Sequence, residues 1–268
     1  MHYPSAKAQL YCALLLINTA LIAVGAEKIE FSFAQPRPVG VAGTEAELVI
    51  HLQNRRETEV ALTFSTRLWQ QSSATLQPLG KAVPCWSGAV KAAGGSDVPV
   101  NVTYPKVRTA TMLQLQLLQE DGVTLAKLPL VAIPVDWFHD QLEGLPEALA
   151  VFDEAVRITP GLRTLGARFT AMPTLDALKN SPSRLMVLIG TPENQAVLEN
   201  TARELAANGR AIAVVGAVPE PGNPGRFACG VLAEFTDLES SAEAQYRFIE
   251  LLRRATGIKA SAPVSPAP

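Results

Sequence analysis

Four carboxylates stand where a protein built from strands and helices would use them. Glu234, Asp237 and Glu239 follow an apolar stretch that opens at Phe227, and Glu193 follows another that closes at Ile189. Such groups can cradle a cation, or work as an acid–base couple in which one carboxyl gives a proton and its partner takes one. Solvated loop acids near a helix start account for the same residues, because the helix dipole favours negative charge there. Glu234, Asp237 and Glu193 are the catalytic candidates, each with that structural alternative.

Other chemistries find less material. No G-x-S-x-G occurs, and Cys229 in Phe227-Ala228-Cys229-Gly230 lacks a glycine two residues ahead. It lies within an apolar run, not at the strand-to-helix elbow a nucleophile requires, and reads as a buried thiol. Beyond residue 26 the histidines are His51 and His139, in different regions, so neither a histidine-dependent triad nor a histidine-rich metal site is expected. Gly190-Thr191-Pro192-Glu193 could turn helix amides towards an anion. It lacks G-x-G-x-x-G and the lysine of a phosphate-cradling loop, and reads more simply as a turn and a cap. No cofactor and no metal are expected.

These residues hang on one recognisable unit, residues 184–217. Two short apolar runs, 185–189 and 211–215, flank a helical pattern with Val197, Leu198, Thr201, Ala202 and Leu205 on its inward stripe. Thr191 is expected to cap that helix with Pro192 in its first turn, and Asn208-Gly209 to stop it. Strand, crossover helix and strand at this spacing predict a right-handed parallel unit, whose ligands prefer the carboxyl ends of the strands. Upstream, Leu142, Leu145, Leu149, Phe152 and Val156 fall at helical intervals, with Pro146 suited to a first turn and Pro160-Gly161 ending the segment. A strand over 163–170 and a short helix after Pro173 follow. Downstream, 227–235 reads as a strand, and Ser240 or Ser241 opens a helix from Ala242 with Tyr246, Ile249 and Leu252 facing inward. A long proline-rich loop, 217–225, connects the last two strands. Residues 136–257 are expected to form a three-layer α/β domain with a mostly parallel sheet. In element order this region resembles the amidotransferase-like, flavodoxin-type domains of some bacterial glycoside hydrolases. That resemblance implies a non-catalytic role in assembly or in shaping a neighbouring site, consistent with the missing cysteine elbow.

Residues 27–135 carry period-two patterning instead. Val60, Leu62 and Phe64 alternate with Ala61 and Thr63; Val98, Val100, Val102 and Tyr104 with Pro99, Asn101 and Thr103; Leu113, Leu115 and Leu117 with Gln114 and Gln116. Alternation of this kind puts one face of a strand on a core, and about seven or eight such strands between recurrent turns predict an antiparallel β-sandwich. The succession Leu48-Val49-Ile50-His51-Leu52-Gln53-Asn54, a polar turn and a second alternating strand resembles bacterial immunoglobulin-like modules. Such modules often accompany catalytic domains in exported glycan-processing enzymes. Trp69 and Trp86 are sugar-stacking candidates whose simpler explanation is packing. Asn101-Val102-Thr103 matches a glycosylation acceptor inside a strand.

The first 26 residues run from Lys7 through an apolar segment to Ala23-Val24-Gly25-Ala26. Charge, apolar core and small residues in that order are the layout of a secretory signal peptide, with an uncleaved anchor as the alternative. Past it, Cys85 and Cys229 are expected as two buried thiols, with pairing as the alternative in an oxidising compartment. Residues 258–268 are rich in proline, alanine and serine and are expected to be a disordered tail. Of the 268 residues 48% are hydrophobic and 18% charged, enough apolar material for sizeable cores, and the net charge of −2 offers no nucleic-acid footprint. The resulting expectation is an exported binding or assembly protein, associated with glycans or a protein partner and without a membrane span after leader cleavage. A hydrolase at the carboxyl edge of the α/β sheet and a structural envelope protein are the alternatives.

Overall fold

The computed structural model describes residues 29–33, 37–72, 75–145, 148–216 and 227–257. The expected leader, the tail 258–268, the loop 217–225 and the helical turn at Pro146 lie outside the described residues. The chain divides into two compact units between Ala132 and Ile133.

The first unit is all strand: β1 (Ile29–Phe33), β2 (Val39–Val41), β3 (Glu45–Asn54), β4 (Val60–Gln71), β5 (Leu76–Val90), β6 (Gly95–Thr103), β7 (Thr111–Gln119) and β8 (Thr124–Ile133). They form two sheets, ordered β1-β3-β6 and β2-β8-β7-β4-β5, with antiparallel pairing along β1-β3-β6 and β8-β7-β4-β5. The alternation read from the sequence becomes alternate burial. Leu48, Ile50 and Leu52 of β3, Val98, Val100 and Val102 of β6, and Leu113, Leu115 and Leu117 of β7 all enter one core fed by both sheets. One polar side chain, Asn54, is fully buried at the end of β3. Its amide donates to the carbonyls of Thr58, Val90 and Lys91 at 2.9–3.0 Å, and its oxygen accepts from the Arg56 amide at 2.9 Å. A buried amide with both ends partnered locks two loops together instead of costing stability.

The second unit alternates strand and helix: α1 (Trp137–Glu143), β9 (Leu149–Asp153), α2 (Thr159–Thr164), β10 (Phe169–Met172), α3 (Leu175–Lys179), β11 (Leu185–Ile189), α4 (Gln195–Ala207), β12 (Ala211–Gly216), β13 (Phe227–Val231) and α5 (Ala242–Thr256). Its sheet is ordered β10-β9-β11-β12-β13, and all four pairings are parallel. Counted along the unit, that order is 2-1-3-4-5. β11 and β12 are buried at every position, as central parallel strands covered on both faces must be. Ala150, Phe152, Met186, Leu188, Ile212 and Val214 pack with Leu178 of α3 and with Leu198, Ala202 and Leu205 of α4. α5 packs on β12 and β13 and carries α1 with it. Trp137 stacks on Tyr246 at 5.3 Å, and Phe138 lies 6.3 Å from Phe248.

Several local expectations are corrected here. The helical spacing from Leu142 to Val156 is divided between α1 and the strand β9. A strand buried on both faces shows no period of two, so its run 149–152 mimics the next turn of a helix. Pro160 and Gly161 open α2, where a missing amide hydrogen costs nothing, and do not end a helix. Strand structure expected from residue 163 begins only at Phe169. Helix α4 begins at Gln195, later than the Thr191 cap predicts, and Val197 points outward with 56% of its surface exposed. The last strand stops at Val231, giving way to a 3-10 turn over Leu232–Glu234. Ser241 caps α5 by accepting from the Ala244 amide at 3.2 Å, and Gly257 ends it at φ +70°.

Candidate functional site

The parallel strands all end at one edge of the sheet, and the loops after β9, β11 and β13 carry the acids there. β9 ends at Asp153, whose carboxylate accepts from the amides of Arg157, Ile158 and Thr159 at 2.8–2.9 Å and from the Thr159 hydroxyl at 3.1 Å. One oxygen thus takes three of the four donors, fixing the start of α2 as a capping carboxylate does. The turn it encloses holds Val156 at φ +52°, a conformation that a β-branched residue rarely adopts, with 57% of the side chain exposed.

Beyond β11, the Thr191 amide donates to Asn194 Oδ1 at 2.7 Å. Asn194 Nδ2 in turn donates to Glu154 Oε2 at 2.7 Å, bridging the β9 and β11 loops. These two strands flank the point at which the 2-1-3-4-5 order reverses, the position where open α/β sheets form their crevice. Gln195 folds across the neighbouring strand ends: a Cβ on Gly216 would fall 2.1 Å from its Oε1, and one on Gly190 2.9 Å from the same atom. Its Nε2 donates to Glu199 at 2.8 Å, while its buried Oε1 has no hydrogen-bond partner among the described residues. Glu193 is exposed on this loop, and a hydrogen bond from the Thr191 side chain, helped by its own backbone amide, holds its carboxyl below the usual range. A carboxyl held ionised is poorly matched to a general acid.

The acids after β13 face different partners. Glu234 accepts from Arg247 Nη1 at 2.7 Å, and the same guanidinium reaches Glu243 at 2.6 Å through Nη2. Asp237 contributes its backbone, its carbonyl accepting from the amides of Ser240 and Ser241 at 3.1 and 2.8 Å. Glu239 is exposed. β11 and β13 are separated by β12, so Glu193 and Glu234 follow strands two places apart, about 10 Å at the usual strand spacing. The candidates do not share one cluster. Among the described residues no group of three or more His, Cys, Asp and Glu side chains could hold a metal ion.

Cys229 is half-buried in β13, and burial, with the charge of Glu199 adding, pushes its thiol up. Burial alone does the same to Cys85, and both thiols are free. His51 and His139 belong to different units; His51 Nδ1 meets Asp97 at 2.5 Å, and His139 Nε2 meets Glu143 at 3.3 Å. Trp86 packs against the core, 5.7 Å from Phe64, whereas Trp69 lies outside that cluster with the Arg67 guanidinium 5.1 Å from its ring.

Asp153, Glu154, Asn194 and Gln195 escaped the sequence reading. The available signal was the sequence Leu149-Ala150-Val151-Phe152-Asp153-Glu154, an apolar run closed by two acids, which is how a buried parallel strand meets its functional loop. Helical spacing through the same residues concealed it.

No family model matches the chain, and no curated protein matches it. Solved structures give partial similarities. They include the alkylpurine DNA glycosylase AlkC of Pseudomonas fluorescens, at TM-score 0.30 and 9% identity over 40% of this chain and 30% of that one. A β-glucosidase of Listeria innocua scores 0.31 at 10% identity, over 39% of this chain and 16% of the enzyme. A Niemann-Pick type C2 protein of the Japanese carpenter ant scores 0.31 at 8% identity, over 42% of this chain and 97% of its own. The chain therefore spans less than a third of the first two. Similarities at this level carry no functional argument.

Proposed function

We propose that this protein is an exported, non-catalytic binding or assembly protein that works on glycans or beside the enzymes that process them. It would combine an immunoglobulin-like sandwich with a three-layer α/β domain of flavodoxin type. Export rests on the order of charge, apolar core and small residues in the first 26 positions. The sandwich reading is supported by two sheets feeding one core, and the flavodoxin-type reading by the parallel order 2-1-3-4-5.

The observation that carries the non-catalytic reading is the commitment of the strand-end acids to internal partners. Asp153 serves the start of α2, Glu154 serves Asn194, and Glu234 serves Arg247. An acid–base pair needs two carboxyls facing a shared space. These acids instead brace the loops of a sheet edge, as suits a surface that holds its shape against a partner.

Co-sedimentation of the purified protein with insoluble cellulose, chitin and peptidoglycan, run beside turnover assays on chromogenic glycosides and esters, tests this. Retention on a polysaccharide without turnover is expected. Hydrolysis that disappears in Glu234→Gln would overturn the reading in favour of a carboxylate-based hydrolase.

A further inference from the structure

The opposite edge of the same sheet holds a depression of about 640 Å³ at the amino ends of β9 and β10, walled by α1. That volume lies within the range of small-molecule sites, roughly 300–1,000 Å³. Its apolar side is made by Leu142, Leu145 and Phe169, all half-buried, and its charged side by His139, Glu143 and Arg168. All of these residues belong to the second unit. We propose that this depression binds a small monocarboxylate with an apolar body, its carboxylate on Arg168 and its body on Leu142, Leu145 and Phe169.

The charges select the ligand class. Arg168 Nη2 stands 3.9 Å from Glu143 Oε1, an ion pair without a proper hydrogen bond, and the side chain is 90% exposed. Among the described residues its guanidinium fork therefore remains available for the bidentate geometry that carboxylates match. His139 approaches the same Glu143 oxygen through Nε2 at 3.3 Å. Glu143 already stands beside this guanidinium, so a dianion would meet more repulsion from it than a monoanion does. Acetate offers this apolar wall only a methyl group, so the wall calls for a chain or ring behind the carboxylate. This site stands apart from the carboxyl edge and from the glycan reading, so either can fail without the other.

Isothermal titration of the purified protein with hexanoate, acetate and hexan-1-ol tests the assignment. Saturable hexanoate binding is expected, about tenfold or more tighter than either control. Arg168→Gln, at a side chain too exposed to threaten the fold, is expected to weaken hexanoate about tenfold and to leave hexan-1-ol unchanged. Absence of saturable hexanoate binding, equal affinity for hexanoate and hexan-1-ol, or an Arg168→Gln protein that binds hexanoate as before would each overturn it.

Discussion

Asn194 and Glu154 meet at 2.7 Å across the carboxyl ends of two adjacent parallel strands, where the strand order reverses. The contact is exposed, so its own contribution is small, below about 1 kcal/mol. Its consequence is positional. The Asn194 amide group also receives the Thr191 backbone N–H, so one side chain holds the turn before α4 and the loop after β9 at once. The edge of the sheet is thereby braced from within.

Asp153→Ala removes the acceptor for three amides and a hydroxyl at the start of α2. Loss of about 2–3 kcal/mol is expected, because the donors lose a charged acceptor together. Urea unfolding followed by far-ultraviolet circular dichroism measures it, and Asp153→Asn should lose less.

Val156→Asn should stabilise the protein by about 1 kcal/mol, since asparagine tolerates the left-handed conformation that the β-branched valine resists. The exposed side chain leaves no cavity behind. A shift of the urea midpoint to higher concentration, at an unchanged slope, is the expected result.

Gly216→Ala brings a methyl group onto the Gln195 amide, with 2.1 and 2.4 Å to its oxygen and nitrogen. A cost of about 1–2 kcal/mol is expected as the side chain is displaced. Gln195→Ala removes the obstacle, so the double variant should be clearly more stable than the sum of the single effects predicts. A double-mutant cycle in thermal unfolding reads that coupling.

Asn54→Ala strips partners from the Thr58, Val90 and Lys91 carbonyls and from the Arg56 amide inside the first unit. Destabilisation of about 2–3 kcal/mol is expected, with earlier hydrogen exchange at residues 55–59 and 91–94.

The thiols and Glu193 give opposite pH signs. Cys85 and Cys229 have raised folded values, so their contribution is intact below the unfolded value near 9.0 and is lost as pH rises through the folded ones. Glu193 is depressed, so its contribution is present above the unfolded value of 4.5 and is lost as pH falls through the folded one. Alkylation by iodoacetamide at pH 8, mapped peptide by peptide, should be slower at both cysteines in the native protein than after denaturation.

Amino-acid order alone determined a good deal of this protein. Alternation in 60–64, 98–104 and 113–117 marked the faces of β4, β6 and β7, since a half-exposed strand records its burial residue by residue. The strand–helix–strand unit of β11, α4 and β12 was equally legible, because its helix is amphipathic and its strands are short and wholly apolar. Tertiary structure decided the rest. β9 carries no period of two, because helices cover one face and other buried residues the second, and only pairing with β10 and β11 makes it a strand. Glu234 is an ordinary acid in sequence; the approach of Arg247 from α5, thirteen residues on, gives it a partner. The contact between Glu154 and Asn194 and the depression at Leu142, Phe169 and Arg168 join residues remote in the chain. Local patterning reports which side of an element is buried, and it is silent on which two loops a sheet order will bring together.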